Sequence, residues 1–423
     1  MGFNIAIVGA GPAGCMLARL LLQGNRGITV TIFEGEGSIN LRSQGGSLDL
    51  HARTGLAAMK AAGLFDEFKK LARYDGETLQ ITDKRLLCYL RKGAKSRTER
   101  LGRPEIDRPQ LRELLFNSLP AGTVRWNKKL THIDTSTTHS LHFADGTVEH
   151  GFDLIVGADG AWSKVRSSAV SDVLPYYSGI GGHVLRIPDA KARAPELYDL
   201  VNRGLIMSFS DHKSISAQYM SEGSLNISTW AVRPSTWQQD CGYDLHDAEA
   251  VREACREEHA GWEPRLVAFT QQADDEVIAR DLFMLPVGFK WEHVRGVTLV
   301  GDAAHLATPF AGEGVNLALE DTLKLAQAIL TASSTEHSTD KVSLQQQLDV
   351  NIGDFETDMF VRAREMQQLT FDLMQLSFMT PGAPRNSIEA WIIRAIEGPL
   401  GPILTFILTP VVYAWYFVFK LVW

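Results

Sequence analysis

Cysteine is scarce in this chain. Four occur in 423 residues, and no two of Cys15, Cys88, Cys241 and Cys255 stand in a C-x-x-C spacing. That excludes a disulfide-framed fold and a cysteine zinc site, no metal is expected, and a reducing compartment fits. Positive charge is also short: 42 Lys and Arg against 50 Asp and Glu leave a net charge of -8. Nucleic-acid binding needs a clustered basic face, so nucleic acid is excluded as the main partner. The local exception is Arg91, Lys92, Lys95, Arg97, Arg100 and Arg103, opposed only by Glu99. It reads first as a solvated hairpin or loop, and second as a contact for an anionic cofactor or lipid headgroup. No internal repeat is visible, and no secretory leader precedes the first strand-like run at Asn4. The expected location is cytoplasmic or on a cytosol-facing membrane.

Long apolar runs are missing until the end of the chain. From Pro399 to Phe419, 21 residues carry no formal charge, enough to cross a bilayer core of roughly 30 Å as a helix. Pro399, Pro402 and Pro410 argue against one straight helix, and a terminal helix packed on the protein body would look equally apolar. Both readings stand. The remaining composition, 45% hydrophobic and 22% charged, is that of a globular protein, and its length suits two interlocked domains.

What is present begins at once. The apolar run Asn4 to Val8 leads into Gly9-Ala10-Gly11-Pro12-Ala13-Gly14 and a helical stretch from Cys15 to Leu22, and a second run, Ile28 to Phe33, ends at Glu34. Strand, glycine turn, helix and strand, with an acid 20 positions after the last glycine, suit a dinucleotide for definite reasons. Gly9 permits the tight turn, Gly11 lets backbone approach a pyrophosphate, and Gly14 lets the helix pack closely. The helix N-terminus offers amide donors and the positive end of its dipole, and Glu34 can accept from ribose hydroxyls.

Two further strands end at glycine turns. Asp153 to Val156 runs into Gly157-Ala158-Asp159-Gly160-Ala161-Trp162-Ser163-Lys164-Val165-Arg166. There Asp159 is a candidate acceptor on the cofactor side, and Arg166 reads equally as a structural group or a ligand contact. Val297 to Val300 runs into Gly301-Asp302-Ala303-Ala304-His305, then Pro309-Phe310-Ala311-Gly312-Glu313-Gly314-Val315-Asn316 and a helix from about Leu317 to Leu330. Asp302 can accept from sugar hydroxyls, and the glycines let backbone amides face an electron-rich ring. His305 has no metal-binding companions and is expected to be structural, bonded to backbone.

These strands predict an α/β fold: a discontinuous Rossmann-like domain over 1–173 and 286–330. A mainly antiparallel sheet, 174–285, is inserted as the substrate domain. A polar loop is expected over Thr331 to Ser343, C-terminal helices over 344–398, and the apolar tail over 399–423.

The three motifs, in this order and spacing, resemble those of the aromatic-hydroxylase class of single-component FAD monooxygenases. Within that class, Gln44-Gly45-Gly46-Ser47-Leu48-Asp49-Leu50-His51, Pro104-Glu105-Ile106-Asp107-Arg108-Pro109-Gln110-Leu111-Arg112 and Gly301-Asp302-Ala303-Ala304-His305-Leu306 are similar to those of the tetracycline-inactivating monooxygenases and their fungal secondary-metabolite relatives. The likeness spans roughly residues 4 to 380.

The resemblance implies FAD as cofactor, with NADPH or NADH docking transiently, since no second Gly-x-Gly-x-x-Gly segment is present. It implies that Gly9, Gly11, Pro12, Ala13, Gly14 and Glu34 hold the adenosine side, and that Arg108 and Arg112 reach FAD from a helix starting near Pro109. Asp49 would lie beside the flavin, Arg42 would assist the nicotinamide, and Asp302 would bind the ribityl and pyrophosphate region. Pro309, Gly312, Gly314, Val315 and Asn316 would line the ring, with Pro309 and Phe310 also meeting substrate. His183, Gln218 and Asn226 stand where tetracycline-inactivating members keep a polar cluster, with different residue types at some positions, which argues against tetracycline itself. His183 is also the candidate acid/base, with a core histidine as the plainer reading.

The implied activity is NAD(P)H- and O2-dependent hydroxylation or epoxidation of a small aromatic, enolic or olefinic molecule through a flavin hydroperoxide, in secondary metabolism or xenobiotic modification; a monomer is the default expectation. A same-fold reductase or oxidase acting on a lipophilic substrate without oxygen insertion is the rival. A halogenase would carry Trp-x-Trp-x-Ile-Pro, which this chain lacks. A non-catalytic binding protein would leave three retained flavin motifs unexplained.

Overall fold

The computed structural model describes residues 2–24, 27–39, 45–74, 78–93, 103–135, 139–274, 276–333 and 341–423. They form two compact units. The first comprises Met1–Ala72, Ile106–Tyr176 and Phe283–Gln368, the second Arg73–Glu105, Tyr177–Leu282 and Leu369–Trp423.

The first unit is built on a five-stranded sheet with the spatial order Val297–Leu299, Leu154–Gly157, Asn4–Val8, Thr29–Phe33, Val124–Arg125, and each neighbouring pair is parallel. Ile5, Ala6 and Ile7 are wholly buried, the signature of a parallel strand covered on both faces. The helix Pro12–Gln23 follows with Pro at its first position, where no amide is lost. Its Met16, Leu17, Leu20 and Leu21 are buried, each contributing about 1.5–3 kcal/mol of transfer free energy. It packs on the helix Gly314–Ser333, which is longer at both ends than the sequence pattern suggested. A further helix, Lys341–Met374, begins inside the stretch expected to be a loop.

The second unit carries a seven-stranded sheet, ordered Ile278–Met284, Tyr176–Ile187, Leu225–Val232, Lys213–Tyr219, Leu205–Ser210, Leu79–Thr82, Cys88–Lys92. From Tyr176–Ile187 to Cys88–Lys92 the pairings are antiparallel apart from Leu205–Ser210 with Leu79–Thr82, which is parallel. Residues 73–105, read from the sequence as part of the FAD-binding domain, thus belong to this unit, because Leu79 and Ile81 register with Leu205 and Met207.

Side chains alternate across this sheet. Ile206, Ile215, Ala217, Leu225 and Ile227 point to one face and share a core with Leu197, Val251, Cys255, Leu266 and Phe269 of three helices. Met207, Ser216, Gln218, Asn226, Ser228 and Trp230 point to the other and are only partly buried. The chain ends in a helix, Ile388–Val422, interrupted at Gly401, where φ 77° and ψ 164° are not helical.

Candidate active site

The glycine turn is shaped by contacts that leave no room for side chains, except at one place. A Cβ at Gly9 would stand 2.3 Å from the Ala158 carbonyl oxygen, and Gly9 itself has φ +107°. A Cβ at Gly14 would stand 2.0 Å from the Gly9 carbonyl oxygen. Gly11, between them, has nothing within 4 Å. It is the N-cap of a helix that no side chain caps, so the amides of Ala13 and Gly14 face that open space. The turn therefore offers a cradle that a pyrophosphate would fill.

Glu34 closes the other side. Its Oε2 accepts the Ala10 amide at 2.7 Å and its Oε1 accepts the Glu36 amide at 2.9 Å. A carboxylate has about four lone-pair sites, so acceptor capacity remains for ribose hydroxyls. Arg112, from the helix Arg108–Asn117, donates to Glu36 Oε2 at 2.7 Å and to the Ala10 carbonyl at 3.4 Å. Arg108 is exposed at the start of that helix, with its stem against Gly45. Cys15, just inside the turn, is buried, which pushes its thiol up to about 12 and leaves it without thiolate character.

The second cluster surrounds Asp49. His51 Nε2 lies 2.9 Å from Asp49 Oδ2 and its Nδ1 lies 3.2 Å from Glu313 Oε2. Burial alone would lower the imidazole pKa, but hydrogen bonds to both carboxylates outweigh it and push the value up to about 9. Asn316 is wholly buried: its Oδ1 accepts from the His51 amide at 2.8 Å and the Thr54 hydroxyl at 3.2 Å, and its Nδ2 donates to the Asp49 carbonyl at 2.9 Å. The Asn316 side chain is therefore spent on clamping this loop, leaving only its backbone for a cofactor. Pro309–Ala311 form a short turn, Gly312 takes φ +69°, and nothing stands within 4 Å of a Cβ at Gly314, where the following helix starts. Pro309 is exposed; Phe310 and Val315 are half-buried.

The two aspartates after the other strands differ. Asp302 is exposed in the first turn of a short helix. Asp159 is committed to its own turn, accepting from the Ser163 hydroxyl at 2.5 Å and from the amides of Lys164 and Val165 at 2.7 and 3.2 Å, and burial raises its carboxyl above the ordinary range. Arg166 is buried and donates to the carbonyls of Ala303 and Ala161, both at 2.7 Å, which makes it a structural brace. His305 bonds not backbone but Asp321, 2.5 Å from Oδ2, and Arg362 meets the other oxygen at 2.8 Å.

In the second unit the expected substrate cluster divides. His183 registers with Thr229, whereas Gln218 registers with Asn226, so His183 faces the helices and the other two face away. Its Nε2 is 3.1 Å from the Tyr243 hydroxyl, its Nδ1 is 3.4 Å from the Thr229 hydroxyl, and the Trp237 ring stands edge-on at 5.4 Å. Burial, then the nearby charge of Arg233, pulls its pKa down to about 4. His183 is a neutral core histidine, which corrects its assignment to substrate and acid/base roles. Arg42 lies outside the described residues, as do Lys95, Arg97 and Arg100 of the basic cluster.

Sequence reading passed over Glu36, Glu313 and the role of His51, and over Ser216, Ser228 and Trp230 on the face of Gln218 and Asn226. The two-residue spacing of Asp49 and His51, and of 226, 228 and 230, was the available signal.

The sequence profile of the family described as "FAD binding domain" matches residues 3–342. The monooxygenase penA of Penicillium thymicola is 33% identical over 92% of this chain and 99% of its own length. HpxO of Klebsiella pneumoniae, in a crystal structure with FAD and uric acid, superposes with a TM-score of 0.72 at 18% identity, covering 97% of both chains. The tetracycline destructase Tet(51) superposes with a TM-score of 0.62 at 20% identity over 94% of this chain and 95% of its own.

Proposed function

The chain belongs to the FAD binding domain family of FAD-dependent monooxygenases of the aromatic-hydroxylase type, and from that membership we propose a reaction. One NADPH or NADH, one O2 and one proton are consumed for each oxygen atom placed on a small aromatic, enolic or olefinic molecule. Water and the oxidised nicotinamide are the other products, and both hydroxylation and epoxidation satisfy this balance. The setting is secondary-metabolite biosynthesis or xenobiotic modification, and the enzyme acts as a monomer. It works in the cytoplasm or, through the tail containing 399–419, on a cytosol-facing membrane.

The observation that carries the cofactor part is the open cradle at Gly11, bounded by uncapped helix amides and by Glu34 already fixed on Ala10. Gly9, Pro12, Ala13 and Gly14 shape that cradle. Glu34 takes the ribose, Asp302 the ribityl side, and Arg108 and Arg112 the phosphates, while the Pro309 to Val315 backbone, with that of Asn316, faces the ring. Bound FAD supplies the two-electron relay from nicotinamide to O2 and the activation of oxygen. The protein's own work is to orient the reactants and keep water out.

On the open sheet face, the three central strands present Met207 and Trp230 as apolar area and Ser216, Gln218, Asn226 and Ser228 as hydrogen-bonding groups. None of these is ionisable. A substrate held there must supply its own electron-rich carbon, which favours phenols, enols and alkenes.

The test is reaction of the purified flavoprotein with NADPH and isotopically labelled O2 against polyketide, phenolic and terpenoid candidates. A product heavier by one labelled oxygen, with little peroxide, is expected. Flavin turnover that never labels any candidate would overturn the proposal in favour of a reductase or oxidase.

A further inference from the structure

We infer that the apolar face of the C-terminal helix docks this protein onto the surface of a phospholipid bilayer, lying along it rather than crossing it. The inference rests on the proposed membrane association, and is independent of the reaction.

Gly401 breaks the helix into two arms, and the second, from Pro402 to Val422, returns along the first. Lys420 Nζ meets both carboxylate oxygens of Glu389, at 2.7 and 2.8 Å, and Arg385 donates to the Lys420 carbonyl at 2.5 Å. Near the same end the Tyr416 hydroxyl donates to the Tyr89 carbonyl at 2.6 Å, and near the other end Thr405 is buried. The second arm is therefore held to the protein along its length. At about 1.5 Å per residue it is roughly 30 Å long, long enough to cross a bilayer core, but crossing would break each of these contacts.

The docked residues Thr405, Tyr416 and Lys420 fall on one side of the arm. The remaining circumference, roughly 200° at about 100° per residue, is apolar and exposed: Ile403 is 78%, Phe406 82%, Trp415 68% and Phe417 65% accessible. Protein partners are met by apolar surface with a polar rim and about one hydrogen bond per 100–200 Å². This face offers Tyr413 and Trp415 as its polar tips, and tyrosine and tryptophan are the residues that settle at headgroup level. Two cations close to the arm are already paired, Lys420 with Glu389 and Arg394 with Asp372 and Glu397, so it is the apolar face and not these charges that carries the docking.

The test uses the full-length, flavin-loaded protein and phosphatidylcholine vesicles. It should float with neutral vesicles, to the same extent in low and high salt. Trp415 lies about three residues from the middle of the arm, so lipids brominated near the headgroup should quench it, and lipids brominated near the bilayer centre should not. Trp415→Phe identifies its share of the signal. Phe406→Ser with Phe417→Ser, both solvent-facing, should weaken flotation more than about tenfold with flavin content and helicity unchanged. Quenching from the bilayer centre would mean that the arm crosses, leaving membrane association intact but overturning the in-plane mode. Absence of flotation together with a concentration-dependent dimer would mean that a second copy covers the face, and would overturn membrane association itself. Neither result would touch the oxygenase reading.

Discussion

The imidazole of His51 sits between two carboxylates, 2.9 Å from Asp49 and 3.2 Å from Glu313, and so ties the Ser47–Asp49 strand to the loop that starts the Gly314–Ser333 helix. A positive charge held there stabilises the fold below the unfolded pKa of 6.5, and that stability is lost as pH rises through about 9. The contribution is on the order of 2 kcal/mol, after discounting the part-exposed carboxylates for solvent screening. The melting temperature should fall between neutral pH and pH about 9, and His51→Gln should flatten that slope. An unchanged slope in the variant would show that His51 is not the titrating group.

The glycine turn separates folding from cofactor binding. Gly14→Ala forces a Cβ to 2.0 Å from a backbone oxygen, so it should destabilise the protein itself, by more than about 2 kcal/mol. Gly11→Ala places its methyl in open space and should leave the melting temperature of the apoprotein near wild type. It should nonetheless lower FAD retention about tenfold or more, measured as flavin per polypeptide after gel filtration. Full flavin content in Gly11→Ala would mean that the pyrophosphate does not use the cradle.

Much of this site was readable in the sequence because it is local. Strand, glycine turn, helix and acid lie within residues 4–34, and the turn's needs are written as residue types at fixed spacing. What depended on register was not readable. One residue decides which face of a strand a side chain takes, and His183 went with Gln218 and Asn226 although pairing puts it on the other side. Residues 79–92 joined the second sheet through pairing with 205–208, a partnership more than a hundred positions away. Composition marked the tail as uncharged, but Lys420 returning to Glu389 is a tertiary fact that no window of sequence holds.

His183 should behave as a core residue. Its folded pKa of about 4 lies below the unfolded 6.5, so the unfolded chain binds the extra proton, and stability is lost as pH falls from about 6.5 towards 4. His183→Ala should cost about 2–3 kcal/mol through the cavity and the stranded Tyr243 hydroxyl, while kcat/KM at neutral pH stays within about threefold of wild type. A variant that melts normally but loses activity would restore the acid/base role.

The open sheet face carries the opposite expectation. Asn226 and Trp230 are partly exposed, so replacing either with alanine leaves no buried cavity and should cost less than about 1 kcal/mol. If a substrate lies on this face, Trp230→Ala removes apolar contact area and should raise KM by about tenfold. Asn226→Ala removes a hydrogen-bonding group that fixes orientation, and poor orientation diverts activated oxygen to peroxide. That variant should therefore keep its NADPH oxidation rate but release more peroxide per product. Measuring both quantities together separates the two roles, because weak binding scales product and substrate-stimulated oxidation alike, whereas misorientation changes their ratio. Unaltered KM in the first variant and unaltered coupling in the second would move the substrate off this face.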